Sequence, residues 1–271
     1  MIENTTNPSI PLVRAKGSVR NRISAILLPF LGMVAVVALW WIAVAGLRIE
    51  KFLLPSPADV VDSFLKNPQF LLLQSLVTLW ETIQGFILAI LIGVPAAMAI
   101  ASSRLLERTV YPLLLGINAV PKVAIAPLLV VWMGFGQEPK VVMVMLLCFF
   151  PIVLSTTAGL RSTPTELIEL GLSMRASRLQ MFMKFRFPFA TEQIFVGLKT
   201  AISLAVIGAV IGEFVGANAG LGYVIVQSGA SADTSQAFAC IVLLALISIG
   251  LFYLLVALER LLIPWSESNR S

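Results

Sequence analysis

Residues 166–188 read Glu-Leu-Ile-Glu-Leu-Gly-Leu-Ser-Met-Arg-Ala-Ser-Arg-Leu-Gln-Met-Phe-Met-Lys-Phe-Arg-Phe-Pro, a charged, helix-forming segment in a mostly apolar chain. The 271 residues are 58% hydrophobic and only 12% charged, whereas an ordinary soluble domain carries about 25% charged residues. The chain lacks the charges to cover a globule and has too many apolar residues for one core. The composition therefore predicts an integral membrane protein, in which this segment needs an explanation.

Six apolar segments are each long enough to cross a bilayer, which takes about 20 residues per helix. They are roughly 25–47, 76–101, 112–134, 141–160, 193–216 and 237–259. The sequence thus predicts an all-α membrane protein with one transmembrane domain at 25–265, a polar cytoplasmic tail at 1–24 and a short tail at 266–271. Because the third segment contains Pro121 and Pro127, we expect its helix to be irregular.

Basic residues predict the orientation, since cytoplasmic loops of membrane proteins are enriched in Lys and Arg. With six spans and a cytoplasmic N terminus, most of the 19 Lys and Arg residues fall inside, and Arg48, Lys51, Lys66 and Lys140 fall outside. We therefore expect a multi-pass protein of the cell inner membrane, surrounded by lipid, with both termini in the cytoplasm. The net charge of +5 then reflects topology and requires no nucleic acid.

The segment 161–191 is the longest cytoplasmic piece between two spans. Thr163-Pro-Thr-Glu166 matches a capping box that starts one helix, and Ser177-Arg-Leu-Gln180 matches one that starts a second. Pro188 is expected to end the second helix, and the break between the helices is expected near 174–176. Leu167, Leu170 and Met174 lie on one face of the first helix. Such a ridge suits a groove on another protein or the lipid surface, and the residues alone leave both open.

The sequence offers little for catalysis. It contains no His, and Cys148 and Cys240 each lie in an apolar run without a partner motif. It also contains no GxxxxGK[S/T] phosphate loop. We therefore expect a non-catalytic chain that binds no metal, no ATP and no other cofactor, so that energy from ATP would have to arrive through another protein.

The charged segment resembles the EAA loop of permease subunits in binding-protein-dependent ABC importers. That pattern reads Glu-Ala-Ala, three residues, Gly, nine residues, then Ile-x-Leu-Pro. Here Glu169-Leu-Gly171 occupies the first triplet, Arg175 stands where the Gly belongs, and Phe185, Phe187 and Pro188 fall on the closing positions.

Other parts of the chain are similar to the branch that contains the nitrate, sulfonate/taurine and bicarbonate importers. Within the charged segment, Glu169, Ala176, Ser177 and Pro188 keep the form that is common in that branch. The other similar stretches are Leu53-Leu-Pro-Ser-Pro57, Pro121-Lys-Val-Ala-Ile-Ala-Pro-Leu-Leu-Val-Val-Trp-Met-Gly-Phe-Gly136, Gly212-Glu-Phe-Val-Gly216, Gly220-Leu-Gly-Tyr223 and Leu258-Glu-Arg260 with Trp265. The resemblance covers about residues 25–265 in order.

The resemblance implies a type I ABC importer permease fold with six transmembrane helices and a cytoplasmic coupling loop. It implies a homodimer of two permease copies, two separate ATPase subunits that carry ATP and Mg, and an external binding protein. That protein would deliver a small solute such as a sulfonate, nitrate, bicarbonate or a heteroaromatic vitamin precursor. The residues expected to couple to the ATPase are Glu166, Glu169, Leu170, Gly171, Met174, Arg175, Ala176, Ser177 and Pro188.

Arg175 departs from the pattern at a position where glycine is easily placed in a left-handed break. A non-glycine residue there costs about 1 kcal/mol or more if the left-handed conformation is kept. Either the break is built differently in this chain, or the arginine contacts the partner and offsets the strain.

Among the charged residues within the predicted spans, three stand out: Lys122, Glu213 and Glu81. Charges at membrane depth are costly and mark pathways or ion pairs. One hypothesis places them on the translocation path, where Lys122 would favour an anionic or carbonyl-bearing solute. The alternative is an internal ion pair of Lys122 with Glu81 or Glu213 of either copy.

Two loop segments allow local predictions. Ser56-Pro-Ala-Asp59 predicts a short helix along the outer interface, and the Gly-rich run 216–223 is either a re-entrant turn or a plain loop.

The alternative function is an ion-coupled secondary transporter, which is expected to show an inverted repeat. The sequence shows no clear repeat, and the ordered motifs favour the importer.

Overall fold

The computed structural model describes residues 19–264, and all regular secondary structure in that range is helical. The helices, in chain order, are α1 (Val19–Gly46), α2 (Pro57–Lys66), α3 (Pro68–Ser102), α4 (Arg104–Asn118), a 3-10 turn (Lys122–Ile125), α5 (Ala126–Met133), α6 (Glu138–Arg161), α7 (Thr165–Ser173), α8 (Arg178–Met181), a π turn (Phe182–Arg186), α9 (Phe187–Gly216), α10 (Leu221–Ala230) and α11 (Thr234–Leu262). Most of the predicted N-terminal tail 1–24, all of the C-terminal tail 266–271 and Trp265 lie outside the described residues.

The chain divides into two compact units, one ending at Glu50 and the other beginning at Lys51. The described part of the first unit consists of α1, which covers nearly all of the predicted first span 25–47. The second unit contains the remaining helices, and its centre is formed by α3, α6 and α9.

Small residues allow α6 and α9 to pack closely. A Cβ atom added to Gly208 would lie only 2.8 Å from the Cα of Val144, so a larger residue there would force the two helices apart. Around this contact, Ala89, Cys148, Ala201 and Ala205 are fully buried. Interfaces of this kind are typical of membrane helices, where small side chains let backbones approach.

Four helical stretches among the described residues are long and apolar enough to cross a membrane: 68–102, 138–161, 179–216 and 234–262. They contain the predicted spans 76–101, 141–160, 193–216 and 237–259. The third of them runs through α8, the π turn and α9 as one continuous stretch of 38 residues.

The predicted span 112–134 is not one continuous helix. Arg104–Asn118 and Lys122–Met133 form an apolar pair bent by 81° at a short break. Pro121 precedes the 3-10 turn, and Pro127 lies in the first turn of α5. Because proline lacks a backbone N–H and clashes with the preceding turn, the expected irregularity is confirmed and takes the form of a break.

The short helix predicted after Ser56 is also confirmed. The backbone N–H of Asp59 donates to Ser56 Oγ at 3.2 Å, and the backbone N–H of Ser56 donates to Asp59 Oδ2 at 3.0 Å, which completes a capping box. Lys51 pairs with the same carboxylate. The hydrogen bonds from Lys51 and Ser56 lower the pKa of Asp59 to about 2.

Candidate functional site

Helix α7 begins the predicted coupling loop, but it begins differently from the prediction. Pro164 immediately precedes the first helical residue, and no side chain caps the helix. The Thr163 hydroxyl is buried and donates instead to the carbonyl of Leu160 at 3.5 Å. The predicted Thr163 capping box is therefore wrong, because its hydroxyl already serves the end of α6.

The break after α7 lies where it was expected, and its geometry is that of a Schellman motif. Ala176 N–H donates to the Gly171 carbonyl at 3.0 Å, and Arg175 N–H donates to the Leu172 carbonyl at 2.9 Å. These are the two hydrogen bonds that define the motif, with Arg175 at the position that is usually glycine. Arg175 has φ of +53°, so the chain keeps the left-handed conformation without glycine.

The second helix of the loop begins as predicted and does not end as predicted. Ser177 N–H donates to Gln180 Oε1 at 2.9 Å, and Gln180 N–H donates to Ser177 Oγ at 3.3 Å, which is the expected capping box. Pro188, in contrast, lies in the first turn of α9. The preceding π turn has a wider hydrogen-bond spacing, with Phe187 N–H donating to the Phe182 carbonyl. This spacing lets the helix continue past a residue without an N–H.

The coupling loop presents an apolar ridge to its surroundings. Leu170 is 51% exposed, Met174 is 69% exposed, and Leu172 and Leu179 are exposed beside them. Leu167, the third member of the predicted ridge, is instead half-buried and lines a cavity with Pro188. A Cβ on Gly171 would lie 3.0 Å from the sulfur of Met181, so glycine allows α7 to lie against the second helix. Four polar residues that were expected to couple to the ATPase are also exposed: Glu166, Glu169, Arg175 and Ser177.

Glu213 of α9 lies against the start of α10, in a cluster of polar groups from three helices. Three successive backbone N–H groups are satisfied there by side chains. Gly220 N–H donates to Gln74 Oε1 at 2.6 Å, Leu221 N–H to Thr78 Oγ1 at 2.8 Å and Gly222 N–H to Glu213 Oε2 at 2.6 Å. The Thr78 hydroxyl also donates to Glu213 Oε1 at 2.7 Å.

These contacts build an N-terminal cap for α10 from α3 and α9, since the first N–H groups of a helix have no partner within it. Gly220 has φ of +109°, which glycine adopts without strain. The predicted Gly-rich run is therefore a tight turn that leads into a helix held by Glu213. The carboxylate is 2% exposed.

Glu81 is equally buried, at 2% exposed, and forms an ion pair with Lys140 at the start of α6. Within this chain, the alternative pairing of Lys122 with Glu81 or Glu213 is therefore wrong, because both carboxylates have other partners. The sequence did not indicate Lys140, because the predicted span began one residue after it. The signal that could have indicated this pair is the presence of an acid and a base at similar depth in two neighbouring spans.

The sequence analysis also missed a second pair, although both of its residues lie within predicted spans. Lys199 of α9 donates to both oxygens of Glu259 of α11, at 3.1 Å and 2.9 Å. Glu259 belongs to the Leu258-Glu-Arg260 stretch, so part of that motif serves to hold two spans together. At the end of α6, Arg161 pairs with Glu107 of α4.

Lys122 lies at the break between α4 and α5. Its ammonium group donates to the Asn118 backbone carbonyl at 3.0 Å and to Asn118 Oδ1 at 2.8 Å. It also lies 4.7 Å from the centre of the buried Phe150 ring, a distance typical of a cation–π contact. Among residues 19–264, no three His, Cys, Asp or Glu side chains come together to hold a metal ion.

Comparison with known proteins agrees with this architecture. Residues 89–266 match the family described as "Binding-protein-dependent transport system inner membrane component". The riboflavin transport system permease protein RibX of Chloroflexus aurantiacus is 35% identical over 266 residues, covering 96% of this chain and 99% of RibX. The taurine transport system permease protein TauC of Escherichia coli is 30% identical over 246 residues, covering 87% and 88%.

A solved structure shares the fold. An inward-facing crystal structure of the MetNI methionine ABC transporter aligns with a TM-score of 0.58 at 22% identity, covering 71% of this chain and 97% of that chain. The fold, the family match and the two relatives lead to one conclusion: the chain belongs to the inner-membrane permease components of binding-protein-dependent ABC transport systems.

Proposed function

We propose that two copies of this chain form the translocation path of an importer, and that ATPase subunits drive it through the loop 161–191. An external binding protein delivers the solute, and ATP and Mg are bound by the ATPase subunits. Both termini lie in the cytoplasm, which puts this loop on the same side as the ATPases. The positive-inside distribution of Lys and Arg supports this orientation.

The observation that carries the proposal is the exposed ridge of Leu170 and Met174 on a short helix that ends in an ordered Schellman motif. Apolar side chains on one face of a helix are the usual means by which a helix occupies a groove on another protein. The ridge is held in a fixed geometry, because the Schellman motif at Arg175 and the capping box at Ser177 set the angle between α7 and α8.

The path from the loop into the membrane is a continuous helical stretch. Residues 179–216 run from the second coupling helix to the polar cluster at Glu213 without a break. A displacement of α7 and α8 by an ATPase therefore moves α9 as a body, which is the way that packed helices transmit closure. We assign the expected coupling residues of this loop their role in coupling as part of the same proposal.

The solute belongs to the organic or inorganic anions or to the heteroaromatic vitamins. Relatives of this chain are named for taurine, which carries a sulfonate group, and for riboflavin, which is a heteroaromatic vitamin. Lys122 lies at the break of the bent segment and contributes a positive charge to a cavity, whereas Glu81 and Glu213 are held in buried contacts. We place Lys122 on the path and assign the two carboxylates to holding α3, α6, α9 and α10 together.

The proposal can be tested by replacing Leu170 with Asp in the full-length chain. A charge on the ridge should prevent ATPase subunits from co-purifying in mild detergent and should abolish ATP-driven uptake. Leu65→Asp is the matched control, because Leu65 is exposed on α2, far along the chain from the loop. Uptake that persists without any ATPase subunit would overturn the proposal and favour an ion-coupled secondary transporter.

A further inference from the structure

A cavity of about 460 Å³ opens at the bend between α4 and α5. Its wall combines two polar residues, Asn118 and Lys122, with apolar side chains from three segments. The apolar members are Ala119, Val120, Pro121, Leu147, Pro151, Leu154 and Leu204. This volume lies within the range of about 300–1,000 Å³ that small-molecule sites occupy.

Lys122 differs from the other lysines that lie between packed helices. Lys140 and Lys199 each contact a carboxylate, Glu81 and Glu259 respectively. None of the ion pairs of residues 19–264 includes Lys122. Its charge is therefore balanced by no acid of this chain in the described range, although an ammonium between apolar walls favours an anionic partner.

The contacts of Lys122 also orient Asn118. An ammonium group only donates hydrogen bonds, so the Asn118 amide must present its oxygen to Lys122 Nζ. The amide nitrogen then faces away, and it donates to no group of the described chain. Lys122 itself uses two of its three protons on Asn118. One ammonium N–H and the Asn118 NH₂ group therefore have no hydrogen-bond acceptor among the described residues, and both residues line the same cavity.

We propose that this cavity, hereafter the bend site, binds an organic oxyanion, a sulfonate or carboxylate with a small apolar body. The oxygens of the anion accept from Lys122 and Asn118, and the apolar body lies against Leu147, Pro151 and Leu204. The bend site rests on the proposed translocation path for its role in transport, whereas its binding of anions does not depend on the ATPase or on the dimer.

The test measures binding to the full-length chain purified in detergent, with sodium benzenesulfonate as the probe. Thermal unfolding is followed at rising concentrations, and the stabilisation gives an apparent dissociation constant. Benzenesulfonamide has a similar shape without the charge, and sodium nitrate has the charge without the apolar body. We expect benzenesulfonate to stabilise the protein and both comparison compounds to be at least tenfold weaker.

Variants assign the effect to the bend site. Lys122→Met should weaken benzenesulfonate binding about tenfold or more, since a hydrogen bond to a charged group is lost. Lys122→Arg should largely restore it, which separates loss of binding from loss of folding. Lys66→Met, at the end of α2, is the control and should bind like the parent.

Three results would overturn the inference. The first is that benzenesulfonate fails to stabilise the parent even at its highest soluble concentration. The second is that Lys122→Met binds benzenesulfonate like the parent. The third is that benzenesulfonamide or nitrate binds as tightly as benzenesulfonate. None of these outcomes depends on the coupling loop. A failure of the Leu170→Asp test with intact benzenesulfonate binding would refute ATPase coupling alone.

Discussion

Replacing Arg175 by glycine should stabilise the protein, because the structure holds this residue in the left-handed region at φ of +53°. That conformation costs a residue with a Cβ atom roughly 1–2 kcal/mol. Glycine offsets part of the gain, because it loses about 0.5–1 kcal/mol more backbone entropy on folding. The difference predicts a stabilisation of about 0.5–1 kcal/mol, which corresponds to a rise in melting temperature of about 1–4 °C.

The assay is thermal unfolding of the full-length chain in detergent, with two further variants beside it. Arg175→Ala keeps a Cβ in the left-handed region and should show no comparable gain. Ala232→Gly is a matched control, since Ala232 has φ of +56° in the turn before α11. It should stabilise by a similar amount. An Arg175→Gly variant that is no more stable than the parent would refute the strain argument.

The same variant also separates the two explanations for Arg175. The structure keeps the left-handed break, so the remaining question is whether the side chain contacts a partner. None of the ion pairs of the described residues includes Arg175, and the side chain is exposed. A stabilised variant with reduced ATP-driven uptake supports a contact with the ATPase. Uptake at least equal to that of the parent removes that explanation.

The remaining predictions concern the Glu81–Lys140 pair, the cap of α10 and Asp59 in α2. Lys140→Met should destabilise the protein by about 3–5 kcal/mol in thermal unfolding, because Glu81 is left buried and unpaired; a Lys140→Met, Glu81→Met double variant should recover most of the loss. Glu213→Ala should raise hydrogen exchange at the Gly222 amide by tenfold or more, because its acceptor is removed; unchanged exchange would contradict the cap. Because the pKa of Asp59 falls from 3.8 to about 2 on folding, its contribution is present above about pH 4 and is lost as pH falls toward 2. Asp59→Asn should flatten this pH dependence of unfolding.

Local signals in the sequence predicted local structure where nothing else competed for the same groups. The capping boxes at Ser56 and Ser177 are exposed or half-buried, so their side chains were free to bond to the nearby backbone. Thr163 carries the same signal, but it is buried beside the end of α6 and its hydroxyl bonds there. Pro188 was expected to end a helix, and a π turn accommodates it instead.

The partners of the charged residues could not be predicted by the same means. Glu81 and Lys140, and Lys199 and Glu259, are about 60 residues apart in the chain, and their contacts depend on which spans are neighbours. The sequence did identify Glu81, Lys122 and Glu213 as unusual, because charges are rare at membrane depth. It could not show that two of them are satisfied by neighbours while Lys122 faces a cavity.

One continuous helical stretch, residues 179–216, connects the coupling loop with the polar cluster at Glu213. Residues 179–216 would span about 57 Å at the α-helical rise of 1.5 Å per residue. Their N-terminal end supports the exposed ridge through the close contact of Gly171 with Met181, and near their C-terminal end Glu213 accepts from the Gly222 N–H of α10. Because Glu213 of α9 accepts a hydrogen bond from the Gly222 N–H of α10, a shift of α9 must either move α10 or break this part of its cap. Under the proposed coupling role, an ATPase that displaces the loop therefore acts on the α10 turn as well, with no separate relay needed between them.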